Sequence, residues 1–111
     1  MQLEEATENG VAVLSLSGRL DAMTVPSIEQ QLLQAAAHRR AGLVLDLSGL
    51  DYTSSAGLRL LLRTAKQAKA AGVQIALAAL RPTVREVLAV SGFSSIIDSY
   101  PTRAEAVEAV G

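Results

Sequence analysis

Apolar residues recur along the chain in two patterns, short runs typical of strands and spaced positions typical of helices. Residues 3–6 and 11–17 are the first two runs, and Asn9-Gly10 between them favours the tight turn of a β-hairpin. Residues 18–21, which read Gly-Arg-Leu-Asp, then interrupt the pattern. The chain is therefore predicted to begin with two antiparallel strands.

Helical spacing follows this hairpin. Thr24 is a candidate cap and Pro26 a first-turn proline, so together they predict the start of a helix. Its predicted buried face consists of Ile28, Leu32, Ala35 and Ala36. His38, Arg39 and Arg40 would close the helix at the negative end of its dipole.

A nearly continuous apolar run at 43–47, ending at Ser48-Gly49, indicates a central strand covered on both faces. Residues 50–55 are predicted to connect it to a second helix that stops at Gly72. The apolar face of that helix would contain Leu58, Leu61, Leu62, Ala65 and Ala68, and its polar face Arg59, Arg63, Lys66 and Gln67.

The rest of the chain repeats the alternation. Residues 73–80 are predicted to form an apolar strand. Arg81-Pro82-Thr83 would open a third helix that ends at Gly92, with Val84, Val87 and Leu88 inward. Residues 96–97 indicate a short last strand, and Thr102 with Glu105 is a capping box for a terminal helix. The order β-β-α-β-α-β-α-β-α predicts one α/β domain over 1–111, with a mostly parallel sheet, an antiparallel edge hairpin and about four packed helices.

Composition narrows the function classes. The 111 residues carry ten basic and eleven acidic side chains, one His and no Cys. The near-equal numbers of acidic and basic side chains argue against binding to nucleic acids or to anionic lipids. Because the chain has no cysteine, thiol and zinc-cysteine chemistry is impossible. The amino terminus has no apolar signal segment, and the longest apolar run, 75–80, is far too short to span a bilayer. We expect a soluble, cytoplasmic protein with no direct membrane insertion.

Residues 50–58 combine a strand end, small polar side chains and a helix start, which makes this segment the candidate site. The simplest interpretation is that Ser54 or Ser55 caps the helix. Residues 53–57 half-match the G-x-S-x-G nucleophile motif, but the first glycine is missing and His38 is the only imidazole. We therefore expect no hydrolase activity.

Three carboxylates, Asp21, Asp46 and Asp51, are candidate ligands of a metal ion, but such residues more often cap turns, and no metal is expected. No phosphate-binding glycine motif occurs, so no cofactor is expected either. The simplest interpretation of Arg59, Arg63 and Lys66 is that they form a solvent-exposed helix face. Ser55 shares that face, so a phosphate on it would lie near Arg59.

The chain resembles the STAS domains, and specifically the stand-alone bacterial anti-sigma-factor antagonists. The likeness runs from the strand and G-x-L-D pattern of residues 11–21 to Ser91-Gly92-Phe93, and residues 45–58 are its most specific part. Antagonists of this kind commonly read D-S-[ST]-G-L there, with the serine after the aspartate phosphorylated. Alignment on Gly57-Leu58 places that serine at Ser55, with Ser54 in place of the acid and Ala56 in place of the second hydroxyl residue.

The resemblance implies a partner switch. The unmodified protein would bind an anti-sigma factor that is also a serine kinase, phosphorylation of Ser55, or less favourably Ser54, would end the binding, and a serine phosphatase would restore it. The implied partner-binding residues are Asp21, Asp51, Thr53, Ser54, Ser55, Ala56, Gly57 and Arg59. The alternative is a constitutive STAS subunit of a transporter, lipid-transport or other signalling complex without a phosphorylation cycle.

Overall fold

The computed structural model describes residues 1–38 and 42–111. Arg39 and Arg40, which were predicted to help close the first helix, lie outside the described residues. The elements in chain order are β1 (Gln2–Glu8), β2 (Val11–Leu20), α1 (Val25–Ala37), β3 (Gly42–Thr53), α2 (Ser55–Ala70), β4 (Gln74–Ala78), α3 (Pro82–Val90), a 3-10 turn (Phe93–Ser95), β5 (Asp98–Tyr100) and α4 (Arg103–Val110).

The five strands form one sheet in the sequential order β1-β2-β3-β4-β5. The β1–β2 pair is antiparallel and the other three pairs are parallel, which confirms the predicted fold class. Each parallel strand is added beside the previous one in the same direction, so right-handed crossovers place α1, α2 and α3 on one face of the sheet. The terminal helix α4 packs on the opposite face.

Two apolar layers result from this arrangement. In the larger layer, the helices α1 to α3 pack on alternate positions of the strands. This layer includes Leu14 of β2, Leu43 and Leu45 of β3, and Leu61 of α2. The smaller layer, beneath α4, uses the positions between them and consists of Val11, Val13, Val44, Ala76, Ala78, Ala106, Val107 and Val110. Because β2 and β3 are covered on both faces, their apolar runs are nearly continuous.

The strands β2 and β3 run further than the pattern predicted. Ser17 pairs with Gly49 and Gly18 with Leu50, through register shifts that mark bulges. A Cβ on Gly49 would lie 2.7 Å from the Ser17 hydroxyl, so the glycine is what lets the two strands stay paired there. Residues 18–20 and 50–53, predicted as breaks and connections, are thus strand, and they carry the sheet up to the start of α2.

The structure differs from the predicted pattern in several local details. The last strand is Asp98–Tyr100 and not 96–97, because Ile96 closes the 3-10 turn. On α2 the fully buried leucines are Leu60 and Leu61, whereas Leu58 and Leu62 are half-buried. Val87 is half-buried, and β4 is confined to Gln74–Ala78. Thr24 is the N-cap residue of α1, as predicted, although its side chain makes no capping hydrogen bond. Within the described ranges, no helix combines the length and apolar character needed to cross a membrane.

Candidate functional site

The carboxyl ends of β2 and β3 meet the beginning of α2 at one edge of the sheet. The backbone N–H of Ser54 donates to the carbonyl of Leu20 at 2.9 Å, which ties the two strand ends together. The 18–21 segment therefore lies beside residues 53–57. This edge is where parallel α/β sheets present binding groups, because the strand ends and helix starts converge there.

Ser54 and Ser55 have different roles at this edge. Ser54 is the N-cap of α2, is half-buried, and its hydroxyl accepts from the N–H of Gly57 at 3.4 Å. Ser55 is the first helical residue and is exposed. Within the described part of the chain, no hydrogen bond of the Ser55 hydroxyl is recorded. The capping function and the accessible hydroxyl are thus on separate serines.

Gly57 explains how closely the helix approaches the strand. A Cβ at this position would overlap Thr53 Oγ1 and would lie 2.8 Å from Leu20 Cγ and 2.9 Å from the Leu20 carbonyl oxygen. Thr53 is itself buried and donates to the carbonyl of Ser54 at 3.2 Å. Both residues therefore lie beneath the exposed surface and position the serines, while Ala56 between them is half-buried.

Asp21 holds the turn between β2 and α1. Its carboxylate accepts from the N–H groups of Met23 at 3.0 Å and Thr24 at 3.1 Å, an arrangement that shapes an Asx turn. Asp21 also lies 3.8 Å from the guanidinium of Arg19. The side chain is thus used structurally, although part of it remains accessible to a partner.

Three exposed side chains that were not predicted as site residues lie at this edge of the sheet, on the ends of β2 and β3 and on the turn that follows β2. The Arg19 guanidinium stacks on the ring of Tyr52, 4.5 Å from its centroid. Tyr52 is 41% exposed, and Met23 is 88% exposed at the tip of the Asp21 turn. Arg19 and Tyr52 could have been found from their strand-end positions, but their stacking depends on the extended pairing of Arg19 with Tyr52 across β2 and β3. We call the following set the Ser55 surface: Arg19, Asp21, Met23, Tyr52, Ser55 and Arg59.

Asp51 is turned away toward α3. Its carboxylate pairs with Arg81 at 2.6 Å, and Arg81 also donates to the carbonyl of Ser48 at 2.7 Å. Arg81 was not predicted as a site residue. The pair joins the end of β3 to the start of α3, so Asp51 lies at the margin of the candidate site.

The three aspartates do not converge. Asp46 faces α4, where Arg103 lies 3.4 Å from its carboxylate, whereas Asp21 and Asp51 bind the partners described above. Among the described residues, no group of three His, Cys, Asp or Glu side chains could hold a metal ion.

The electrostatics of the helix start favour an anion at Ser55. The first turn of α2 contains no acidic side chain, and its free N–H groups carry the positive end of the dipole of a sixteen-residue helix. Arg59 is exposed one turn after Ser55, and in the described ranges no ion pair of its guanidinium is recorded. Arg63, the next cation on this face, pairs with Glu29 of α1. Arg59 is therefore the cation available to a group on Ser55.

Comparisons with known proteins agree with this architecture. Residues 2–106 match the model of the STAS domain. The Bordetella bronchiseptica protein BtrV, provisionally assigned to the anti-sigma factor antagonists, is 36% identical over 109 residues, 98% of this chain and 94% of that protein. The anti-sigma F factor antagonist of Paenibacillus polymyxa is 30% identical, and the alignment covers 96% of this chain and 92% of that protein. The crystal structure of an anti-sigma factor antagonist from Mycobacterium paratuberculosis superposes with a TM-score of 0.89 at 29% identity, covering 98% and 92% of the two chains.

Proposed function

Because the chain belongs to the STAS domain family, we propose that it is an anti-sigma factor antagonist whose unphosphorylated form binds an anti-sigma factor and so releases a sigma factor. The relatives named as antagonists align over nearly the whole chain, which supports this role. The switch in our proposal is phosphorylation of Ser55 by the anti-sigma factor acting as a serine kinase. A serine phosphatase reverses it in the cytoplasm.

One observation carries the assignment to Ser55. Its hydroxyl is exposed at the first position of α2, whereas the hydroxyl of Ser54 is occupied as the helix cap. A kinase needs a hydroxyl that can enter its active site, and removal of the cap would cost about 1 kcal/mol of helix stability. The Ser55 hydroxyl is accessible to a kinase, and its modification leaves the helix cap intact.

The fold tolerates the phosphate in this proposal. A phosphoserine adds a charge of about −1.5 to −2, and at a helix N-terminus an anion is favoured by roughly 0.3–1 kcal/mol. The first turn of α2 has no acid to repel it, and Arg59 is on the same face. Phosphorylation should therefore leave the domain folded and act at its interface.

The same phosphate should weaken binding of the partner. The Ser55 surface combines an exposed Tyr, Arg and Met, residue types enriched in the desolvated centres of protein interfaces. A contact shaped for a hydroxyl would leave the phosphate charge unmatched, which costs several kcal/mol. Because about 1.4 kcal/mol corresponds to a tenfold change in the dissociation constant, the affinity for the partner should fall by at least about two orders of magnitude.

The experiment uses the candidate serine kinases of the native host, with ATP. Intact mass should show one added phosphate on the parent and on Ser54→Ala, and none on Ser55→Ala. By calorimetry Ser55→Ala should bind the anti-sigma factor, and Ser55→Glu should bind it weakly while unfolding like the parent. Ser94→Glu is the matched control, since it adds the same charge at an exposed serine of the 3-10 turn, away from the start of α2. Labelling of Ser54, or full binding by Ser55→Glu, would contradict the switch and favour a constitutive subunit.

A further inference from the structure

A second candidate surface lies at the other end of α2. A groove of about 490 Å³ opens between the last turns of α2, the beginning of β4 and the 3-10 turn. We call it the lysine groove and define it by Lys66, Lys69, Val73, Ile75 and Ile96.

The floor and one wall of the groove are apolar. Val73 is buried and Ile75 half-buried, while Ile96 is 55% exposed. The flanking residues Phe93 and Ile97 are both buried in the main core, so the segment that presents Ile96 is anchored on both sides. Ile96 is thus held toward solvent by a fixed backbone, a placement that leaves apolar area for a partner to cover.

The opposite wall is cationic. Lys66 and Lys69 are the two lysines of the chain, and both are exposed along this groove. Every ion pair found in the described residues uses an arginine, and none uses either lysine. Two ammonium groups that form no ion pair within residues 1–38 and 42–111, beside an apolar floor, complement a ligand that carries carboxylates next to apolar side chains.

We propose that the lysine groove is a docking site for an acidic, partly apolar peptide segment of a partner protein. The carboxylates pair with Lys66 and Lys69, and the apolar side chains cover Ile75 and Ile96. A concave groove with two cations, on a chain of net charge −1, suits a peptide better than a lipid surface, which favours broad basic faces.

The groove is separate from the Ser55 surface. Ser55 and Lys69 are fourteen positions apart on α2, which corresponds to about 21 Å along the helix axis. At that separation a phosphate on Ser55 is screened from the groove by more than a Debye length. This inference therefore does not rest on the proposed function, and peptide binding should be the same in Ser55→Glu as in the parent.

The test uses fluorescence anisotropy with a short labelled peptide in which glutamate alternates with valine and leucine. The full chain should bind this peptide, and added salt should weaken the binding. Lys66→Glu and Lys69→Glu should each lower the affinity by about tenfold, and Ile96→Ser should lower it severalfold. Amide chemical shifts of Ile75, Lys69 and Ile96 should move on titration.

The matched control is Arg85→Glu, which changes the net charge as Lys69→Glu does, at an exposed position of α3 outside both the groove and the Ser55 surface. It should leave the affinity within about twofold of the parent. A peptide with lysine in place of glutamate should not bind. The proposal is overturned if the acidic peptide fails to bind, if the two lysine variants bind it normally, or if anionic vesicles bind to the groove while the peptide does not.

Discussion

At the scale of single residues, the partner surface is best tested at Tyr52, which is exposed and held by the stacked guanidinium of Arg19. If it is a central contact, Tyr52→Ala should weaken anti-sigma factor binding by about 2 kcal/mol, roughly thirtyfold, in calorimetry. The free energy of unfolding should change by less than about 0.5 kcal/mol. Val90→Ala removes another exposed apolar side chain and should change neither quantity. Equal binding by both variants would place the interface elsewhere.

Asp21 is a poorer test of the same surface, although the sequence singled it out. Its carboxylate holds the N–H groups of Met23 and Thr24, so Asp21→Lys would disturb the turn as well as the charge. A loss of binding in that variant would combine a structural effect with an interfacial one.

Gly57 offers a prediction about folding. The added methyl of Gly57→Ala would overlap Thr53 Oγ1 and crowd Leu20, so α2 would have to move away from β2. We expect a loss of about 1–3 kcal/mol in the free energy of unfolding, measured in urea. Ala56→Ser adds one atom at the neighbouring half-buried position and should cost less than about 0.5 kcal/mol. A Gly57→Ala variant as stable as the parent would show that the helix start is not tightly packed.

At the scale of elements, Arg103 adds polar contacts to the apolar packing that holds α4 on the sheet. Arg103 lies 3.2 Å from the carboxylate of Glu8 and 3.4 Å from that of Asp46, and it donates to the Ser15 hydroxyl at 3.0 Å. Three strands are thereby joined to the first turn of the helix.

Removal of this arginine should destabilise the domain. In Arg103→Ala the buried Asp46 carboxylate would lose its cation, which we expect to cost about 1–3 kcal/mol. Arg85→Ala, at an exposed position of α3 and without a recorded ion pair in the described ranges, should cost less than about 0.5 kcal/mol in the same urea titration. If the two variants are equally stable, Arg103 does not hold the helix.

Sequence patterns predicted those elements of the fold that depend on local residues. Element order, the hairpin turn at Asn9-Gly10 and the Thr102–Glu105 capping box were predicted, because each depends on nearby residues. The last strand was misplaced because Asp98–Tyr100 is strand only through its pairing with Ala76, Leu77 and Ala78 of β4. Local β propensity instead favoured Ile96 and Ile97.

The candidate site was predictable to the same degree. Ser54 and Ser55 follow from the strand-to-helix transition, and their adjacency to residues 18–21 follows from the parallel topology. The Arg19–Tyr52 stack and the Asp51–Arg81 pair depend on how far β2 and β3 continue, which the local Ser-Gly signals concealed. Long-range pairing across a bulge leaves no periodic trace in the sequence.

At the scale of the whole molecule, His38 and Ser55 lie at opposite edges of the sheet. His38 ends α1 at the edge where β3 begins, whereas Ser55 follows the end of β3. A serine nucleophile needs its base within roughly 3 Å, and twelve residues of strand lie between these two edges. We therefore propose that the protein is a kinase substrate and not a hydrolase.

That proposal can be measured directly. Turnover of an activated ester such as p-nitrophenyl acetate should not exceed the uncatalysed rate, and Ser55→Ala and His38→Ala should leave the signal unchanged. Turnover that requires Ser55 would contradict it.

The position of α4 also has a consequence for how the domain opens. Only this eight-residue helix covers the second face of the sheet in the described structure, and it does so with the small side chains Ala106, Val107 and Val110. Such a helix is a natural unit of local unfolding below the global transition. Native-state hydrogen exchange should therefore show α4 amides exchanging before those of β3, and faster still in Arg103→Ala. Exchange of α4 and β3 at one common rate would mean that the helix opens only with the whole domain.

The surface uncovered by that opening would be a row of β-branched residues on adjacent strands, Val11 and Val13 on β2 and Val44 on β3. Exposed apolar strands of this composition associate readily with one another. Self-association of the protein at moderate temperature should thus follow the rate of α4 release rather than the unfolding of the main core. The time for which the protein stays monomeric in solution should therefore depend on this one helix.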